Sequence, residues 1–178
     1  MPQTTVKNRM AKWLVEGQRA STQSPRIDGT MQPAYNGNTG ILPFGRVSEL
    51  DPATKQVTTL AGAPTTGNLL IVPIFSERRG LSLATLSTRP EEEAGYPQGD
   101  EVMVEYITEE DVVMWSEEAV TYGDPVHYRH TATGAEIAGR VRASADSTDT
   151  AVLGTCYFAE STAGPGLVAV TITGLVRA

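Results

Sequence analysis

From Arg46 onward, apolar residues come in short runs that alternate with polar ones, broken roughly every 8–12 residues by turn formers. "EVMVEYI" sets Val102, Val104 and Tyr106 on one side and Glu101, Met103 and Glu105 on the other, the period of two of a half-buried strand. "LVAVTITGLV" does the same, with Val168, Val170 and Ile172 against Ala169, Thr171 and Thr173. "RVSEL" and "KQVTTL" flank Asp51-Pro52-Ala53-Thr54, a turn signature. "NLLIVPIFS" is an apolar run whose Pro73 cannot donate to a ladder, which predicts an edge strand or a bulge. "LSLATLS", "DVVMWS", "AVTY", "PVHYRH" and "AVLGTCYFAE" add further short strands, and "RPEEEAGYPQGD" reads as a polar loop. Short strands with frequent turns predict a mainly β body, a small β-sandwich or barrel, over residues 46–178.

Residues 1–45 follow another pattern. From Gln18 to Gly45 the chain is Ser, Thr, Gln, Asn, Gly and Pro with isolated apolar residues, too little to offset its own ordering entropy. Before it, Val6, Met10, Trp13 and Leu14 fall at helical spacing, which predicts one short helix over 5–16. Thr4 or Thr5 is placed to cap its start and Gly17 its end. A helix of three turns is marginal alone. It either packs on its own domain, frays, or orders on a partner with Trp13 as anchor. Residues 1–45 therefore read as an extended N-terminal arm, able to reach on the order of 100 Å when fully extended.

Two stretches resemble each other: "YPQGDEVMVEYI" and "TYGDPVHYRH" each place Gly-Asp before a strand. Gly accepts positive φ and Asp bonds nearby backbone N–H groups, so both read as turns feeding strands rather than as metal carboxylates. The similarity is too short to indicate duplication.

Charge changes the picture most. Residues 1–90 carry ten Lys+Arg and five Asp+Glu, whereas residues 91–178 carry four and sixteen, for a net charge of −7. A basic leader on an acidic body points to an acidic protein surface or a neighbouring copy as partner, and away from nucleic acid, whose phosphates the body would repel. No apolar run nears the roughly 20 residues of a membrane span. The first 20 residues lack the apolar core of a signal peptide, so the expectation is a soluble chain made in a reducing cytoplasm. The single cysteine, Cys156, sits in an apolar run and reads as a core thiol.

Candidate chemistry is thin. His127 and His130 are three apart, hence on opposite faces of a strand, and cannot share a metal without a bend. Glu91-Glu92-Glu93 lacks the alternating oxygen ligands of a calcium loop and reads as solvated. Glu109-Glu110-Asp111 and Glu117-Glu118 read either as hairpin ends in solvent or as an acidic face that receives the arm. Arg78-Arg79 read as a turn in solvent or as a contact with an acidic partner. There is no nucleophile elbow, no phosphate-binding loop and no dinucleotide fingerprint. The expectation is a protein without enzymatic activity or cofactor. A metal-dependent β-barrel enzyme is a distant rival.

The order of several motifs is similar to that of the structural cement, or capsid decoration, proteins of tailed bacteriophages. They are the polar lead-in "MQPAYNGNTGILPFGRVSELDP", the Gly-Asp strand at Asp100, "VVMWSEEAV", "GDPVHY" and the ending "TAVLGTCYFAESTAGPGLVAVTIT". The resemblance covers roughly residues 30–175 and leaves out the leader at 1–25. It implies a jelly-roll-like sandwich or small barrel that forms homodimers or homotrimers. Such a protein would sit on the outer surface of an icosahedral head and join neighbouring major capsid protein subunits, with neither nucleic acid nor membrane as partner. The arm residues expected to bind the partner are Met10, Trp13 and Leu14 for apolar anchorage and Lys7, Arg9, Lys12, Arg19 and Arg26 for steering. The rival within virions is a tail or receptor- or carbohydrate-binding module, which would use Trp115 and the tyrosines.

Overall fold

Alternation of apolar and polar residues builds thirteen short strands in the computed structural model, which describes residues 34–74, 95–102, 110–173 and 176–177. No helix occurs among the described residues. Strands β1 (Ala34–Asn36), β3 (Ser48–Asp51), β4 (Gln56–Thr59), β5 (Leu69–Ile71), β7 (Glu101–Val102) and β13 (Val176–Arg177) form one sheet in the order β13-β5-β3-β4-β1-β7. Strands β8 (Glu110–Ser116), β9 (Pro125–Arg129), β10 (Val141–Arg142), β11 (Thr150–Phe158) and β12 (Gly166–Ile172) close into a barrel in the order β10-β8-β12-β11-β9. A small ribbon pairs β2 (Leu42–Pro43) with β6 (Gly95–Tyr96). The mainly β reading holds.

Two cores organise these strands. Val112, Met114, Val126, Tyr128, Phe158, Val168 and Val170 fill the barrel, joined by Val47, Leu60, Leu70 and Ile74 from the sheet side. Ala34, Leu42, Phe44, Leu50, Val57, Ile71, Tyr96 and Val102 form the second core, where Phe44 and Tyr96 meet edge to face at 5.0 Å. Strand β5 is the shared wall. Leu70 belongs to the barrel core while Ile71 and Leu69 belong to the other, which is why that run is apolar without alternation.

The turn at Asp51 is the hairpin its sequence indicates. Asp51 pairs with Gln56 across it, its carboxylate accepts the Ala53 N–H and the Thr54 hydroxyl at 2.8 Å each, and Lys55 takes a φ of 60°. Both Gly-Asp units are turns feeding strands. Gly99 (φ 75°) leads into β7 in the sheet and Gly123 (φ 87°) into β9 in the barrel, so the two units serve different sheets.

Several expectations are corrected. Residues 34–45, grouped with the arm on composition, are folded into the body. There β1 lies between β4 and β7, and Ala34, Leu42 and Phe44 are buried. Gly95 and Tyr96, read as part of a polar loop, are β6, and the Tyr96 hydroxyl donates to the Ile74 carbonyl at 2.7 Å. Pro73 is neither in a strand nor at a bulge. It follows β5, and its carbonyl accepts the Gly45 N–H at 2.9 Å. In β12 the second face is buried as well, with Ala169 and Thr171 both inaccessible and Thr171 bonded to Asp111 at 2.6 Å. The bulge lies instead in β11. There the pairing with β9 slips between Val152 and Tyr157, Gly154 takes a φ of 54°, and Leu153, Cys156 and Phe158 all reach the core. The predicted strand at "LSLATLS", residues 103–107 of "EVMVEYI", Arg78-Arg79 and Glu91-Glu92-Glu93 lie outside the described residues.

Candidate functional site

Among the described residues, the largest concentration of chemistry-bearing side chains lies at one end of the barrel. Arg129 closes β9 and is fully buried. Its Nε donates to both Glu117 oxygens at 3.0 Å and its Nη2 to Glu117 at 2.9 Å and Asp146 at 2.7 Å, with Glu136 at 2.6 Å. Arg142, on the closing strand β10, reaches Asp146 at 2.9 Å and Glu118 at 3.1 Å. Glu118 also accepts the Ala143 N–H at 3.0 Å, the Ser144 N–H at 2.8 Å and the Ser144 hydroxyl at 2.7 Å. Two guanidinium groups thereby bind four carboxylates drawn from the connections on either side of β9 and β10. Because β10 supplies only two residues to the barrel wall, these ion pairs reinforce a closure its ladder alone holds weakly. Beside them, the Arg140 guanidinium lies over the Trp115 ring at 5.0 Å.

Electrostatics follow from this geometry. The hydrogen bonds that Arg129 donates to Glu117 raise its pKa further above the ordinary value. The Arg129 hydrogen bond holds Asp146 below the usual carboxylate range. Desolvation pushes Glu118 upward, but the Ser144 donors and Arg142 outweigh it and leave it lowered. Depressed carboxylate pKa values stabilise the folded state above the unfolded-state values and lose that contribution as pH falls through the folded ones. The melting temperature should therefore hold steady from neutral pH down to about 5 and fall once pH drops below the ordinary values of 4.5 for Glu and 3.8 for Asp. Calorimetry across that range in wild type and Asp146→Asn checks it. The variant should melt lower at neutral pH and show a shallower acid-side decline.

Glu117 and Glu118 are thus committed to internal partners, which corrects both readings made of them, solvated hairpin ends and a docking face for the arm. Among the described residues no group of three or more His, Cys, Asp or Glu is arranged to hold a metal ion. His127 stands half-buried on the outer wall, whereas His130 is buried after β9, its Nδ1 at 2.9 Å from the Thr131 hydroxyl. Cys156 lies in the barrel core, where burial pushes its thiol pKa up and keeps it protonated. Among the described residues no helix is long and apolar enough to cross a membrane. The arm residues Lys7, Arg9, Met10, Lys12, Trp13, Leu14, Arg19 and Arg26 all lie outside the described residues.

What the described surface does offer is exposed aromatic and aliphatic side chains, Tyr35, Ile41, Tyr122 and Val152, on a rigid β body. The model of the structural cement protein family (E217 gp24/Pam3 gp6) matches residues 2–173. The chain belongs to this family of structural cement proteins. The match begins at residue 2, so it takes in the basic leader that the motif-by-motif resemblance left out. Among solved structures, a chain from the capsid of Myoviridae phage XM1 is similar with a TM-score of 0.51 and 15% identity, over 86% of this chain and 94% of that one. At that identity the likeness is one of fold. No curated protein matches. The cement family is one of structural virion proteins, which gives this chain a structural role in the phage capsid.

Proposed function

We propose that this cement protein binds the outer surface of an icosahedral phage head and joins neighbouring major capsid subunits, without enzymatic activity or cofactor. The observation that carries the reading is the family match over residues 2–173. The construction of the body supports it, because the barrel and sheet share one wall and ion pairs reinforce the barrel closure. Residues 1–33 act as the arm, with Met10, Trp13 and Leu14 as anchors and Lys7, Arg9, Lys12, Arg19 and Arg26 giving steering and register. The arm extends to an adjacent capsomer or decoration subunit, and the protein works as a homodimer or homotrimer made in the host cytoplasm. Many modest contacts repeated over a shell then add through multivalency.

Co-sedimentation of the full-length protein with heads that lack it, across a salt series, tests this. Binding that saturates at a fixed ratio to capsid subunits and weakens with salt is the expected result. Absence of binding at every salt concentration would leave a tail or receptor-binding module as the better reading.

A further inference from the structure

Tyr122 is the most exposed large hydrophobic side chain among the described residues, at 68%, yet it sits on a tightly held turn. Its own N–H donates to the Ser161 hydroxyl at 2.8 Å, and the Gly123 N–H donates to the Phe158 carbonyl at 2.8 Å. The Asp124 carboxylate accepts the Thr121 N–H at 2.8 Å, and the Asp124 N–H returns to the Thr121 carbonyl at 3.0 Å. Just before the turn, Val120 and Thr162 exchange backbone bonds at 3.2 and 2.9 Å. The backbone that carries this ring is fixed from both sides, so contact costs no ordering of the turn, one condition for a preorganised anchor.

The wall beside it mixes apolar side chains with one imidazole. Exposed Pro125 pairs with half-buried Tyr157, and half-buried His127 pairs with Val152, so all four share the outer face of β9 and β11. Acidic groups flank this patch: exposed Glu160 precedes Ser161, which holds Tyr122, while the Asp124 carboxylate in the turn itself is already engaged by the Thr121 N–H. Arg142, which pairs with His127 on the same face, has its guanidinium committed to Asp146 and Glu118. The surface thus asks for a segment with apolar side chains set among cations.

The chain contains such a segment. Residues 1–26 carry Lys7, Arg9, Lys12, Arg19 and Arg26 against the single acid Glu16, with Met10, Trp13 and Leu14 interleaved. We infer that the Tyr122 turn and the β9–β11 wall are the receiving site for the basic leader of a second copy of this chain. The inference rests on the cement reading, under which a leader held by its own body would join nothing.

Sedimentation velocity of the full-length protein over a concentration series tests it, with Tyr122→Ser and Glu160→Lys variants whose folding is confirmed by thermal melting. Wild type should self-associate, more weakly as salt rises. Tyr122→Ser should raise the dissociation constant at least tenfold, and Glu160→Lys should also raise it. A synthetic peptide of residues 1–26 should compete. A monomeric wild type, variants that associate like wild type, or a peptide without effect would each overturn the inference. Head binding separates this from the broader reading. A Tyr122→Ser protein that self-associates normally but no longer binds heads places the turn against the capsid subunit, which overturns the inference and leaves the cement function standing.

Discussion

Arg129→Met should lower the stability of the protein by about 3 kcal/mol, and its melting temperature by roughly 10 °C. The Arg129 side chain is fully buried and Glu117 nearly so, so neither can recover hydration when the other is removed. Met retains most of the aliphatic stem, which separates the loss of charge from the loss of packing. The carboxylate of Glu117 would be left with only the longer contact to Arg142 at 3.9 Å. Removing one partner of a buried pair costs far more than replacing both. The double variant Arg129→Met with Glu117→Leu should therefore recover part of the loss rather than add to it. Calorimetric melts of the four proteins give the coupling directly. Additive losses, or an Arg129→Met protein that melts like wild type, would mean that the network only decorates a barrel closed by its ladders.

That network also shows where sequence reasoning stops. In "PVHYRH" the alternation correctly puts Val126 and Tyr128 inside, and by the same logic Arg129 belongs to the outer face, where an arginine would normally be solvated. It is buried because the segments at 131–140 and 143–149 fold over that face, and nothing local to β9 announces this. Glu117-Glu118 looked like a surface charge run for the same reason, since a sequence displays charges and not their partners. Turn chemistry was the most legible layer. Asp51-Pro52 and both Gly-Asp units act as their residue types require, because a turn is decided within four residues. The strands at 34–36 and 42–43 were hidden. Each buries only two residues, and their partners β4, β6 and β7 lie far along the chain. In β11, the bulge shifts the inward parity between Leu153 and Cys156, so a simple period of two fails there: the run is a strand, as its composition predicts, but it is half exposed rather than buried throughout.

Trp13→Ala in the full-length protein should weaken head binding by on the order of thirtyfold, the effect of removing a single anchoring aromatic. Neutralising Lys7, Arg9 and Lys12 together should act differently, slowing association and flattening the salt dependence while changing dissociation less. The distinction matters because the leader supplies both kinds of group within a few residues. If Trp13 seats on the Tyr122 turn of a neighbouring copy, each subunit's grip on the shell includes its neighbours' grip. Losing the link then returns every copy to its single-site affinity. Trp13→Ala and Tyr122→Ser should in that case produce similar losses, and the double variant should bind heads no worse than either alone, because both substitutions remove one contact. Losses that add would place the two aromatics in separate contacts, with Trp13 on the capsid subunit or elsewhere on the neighbouring copy. Trp13→Ala protein that binds heads as wild type does would remove the leader from the cementing mechanism and leave the folded body to account for it.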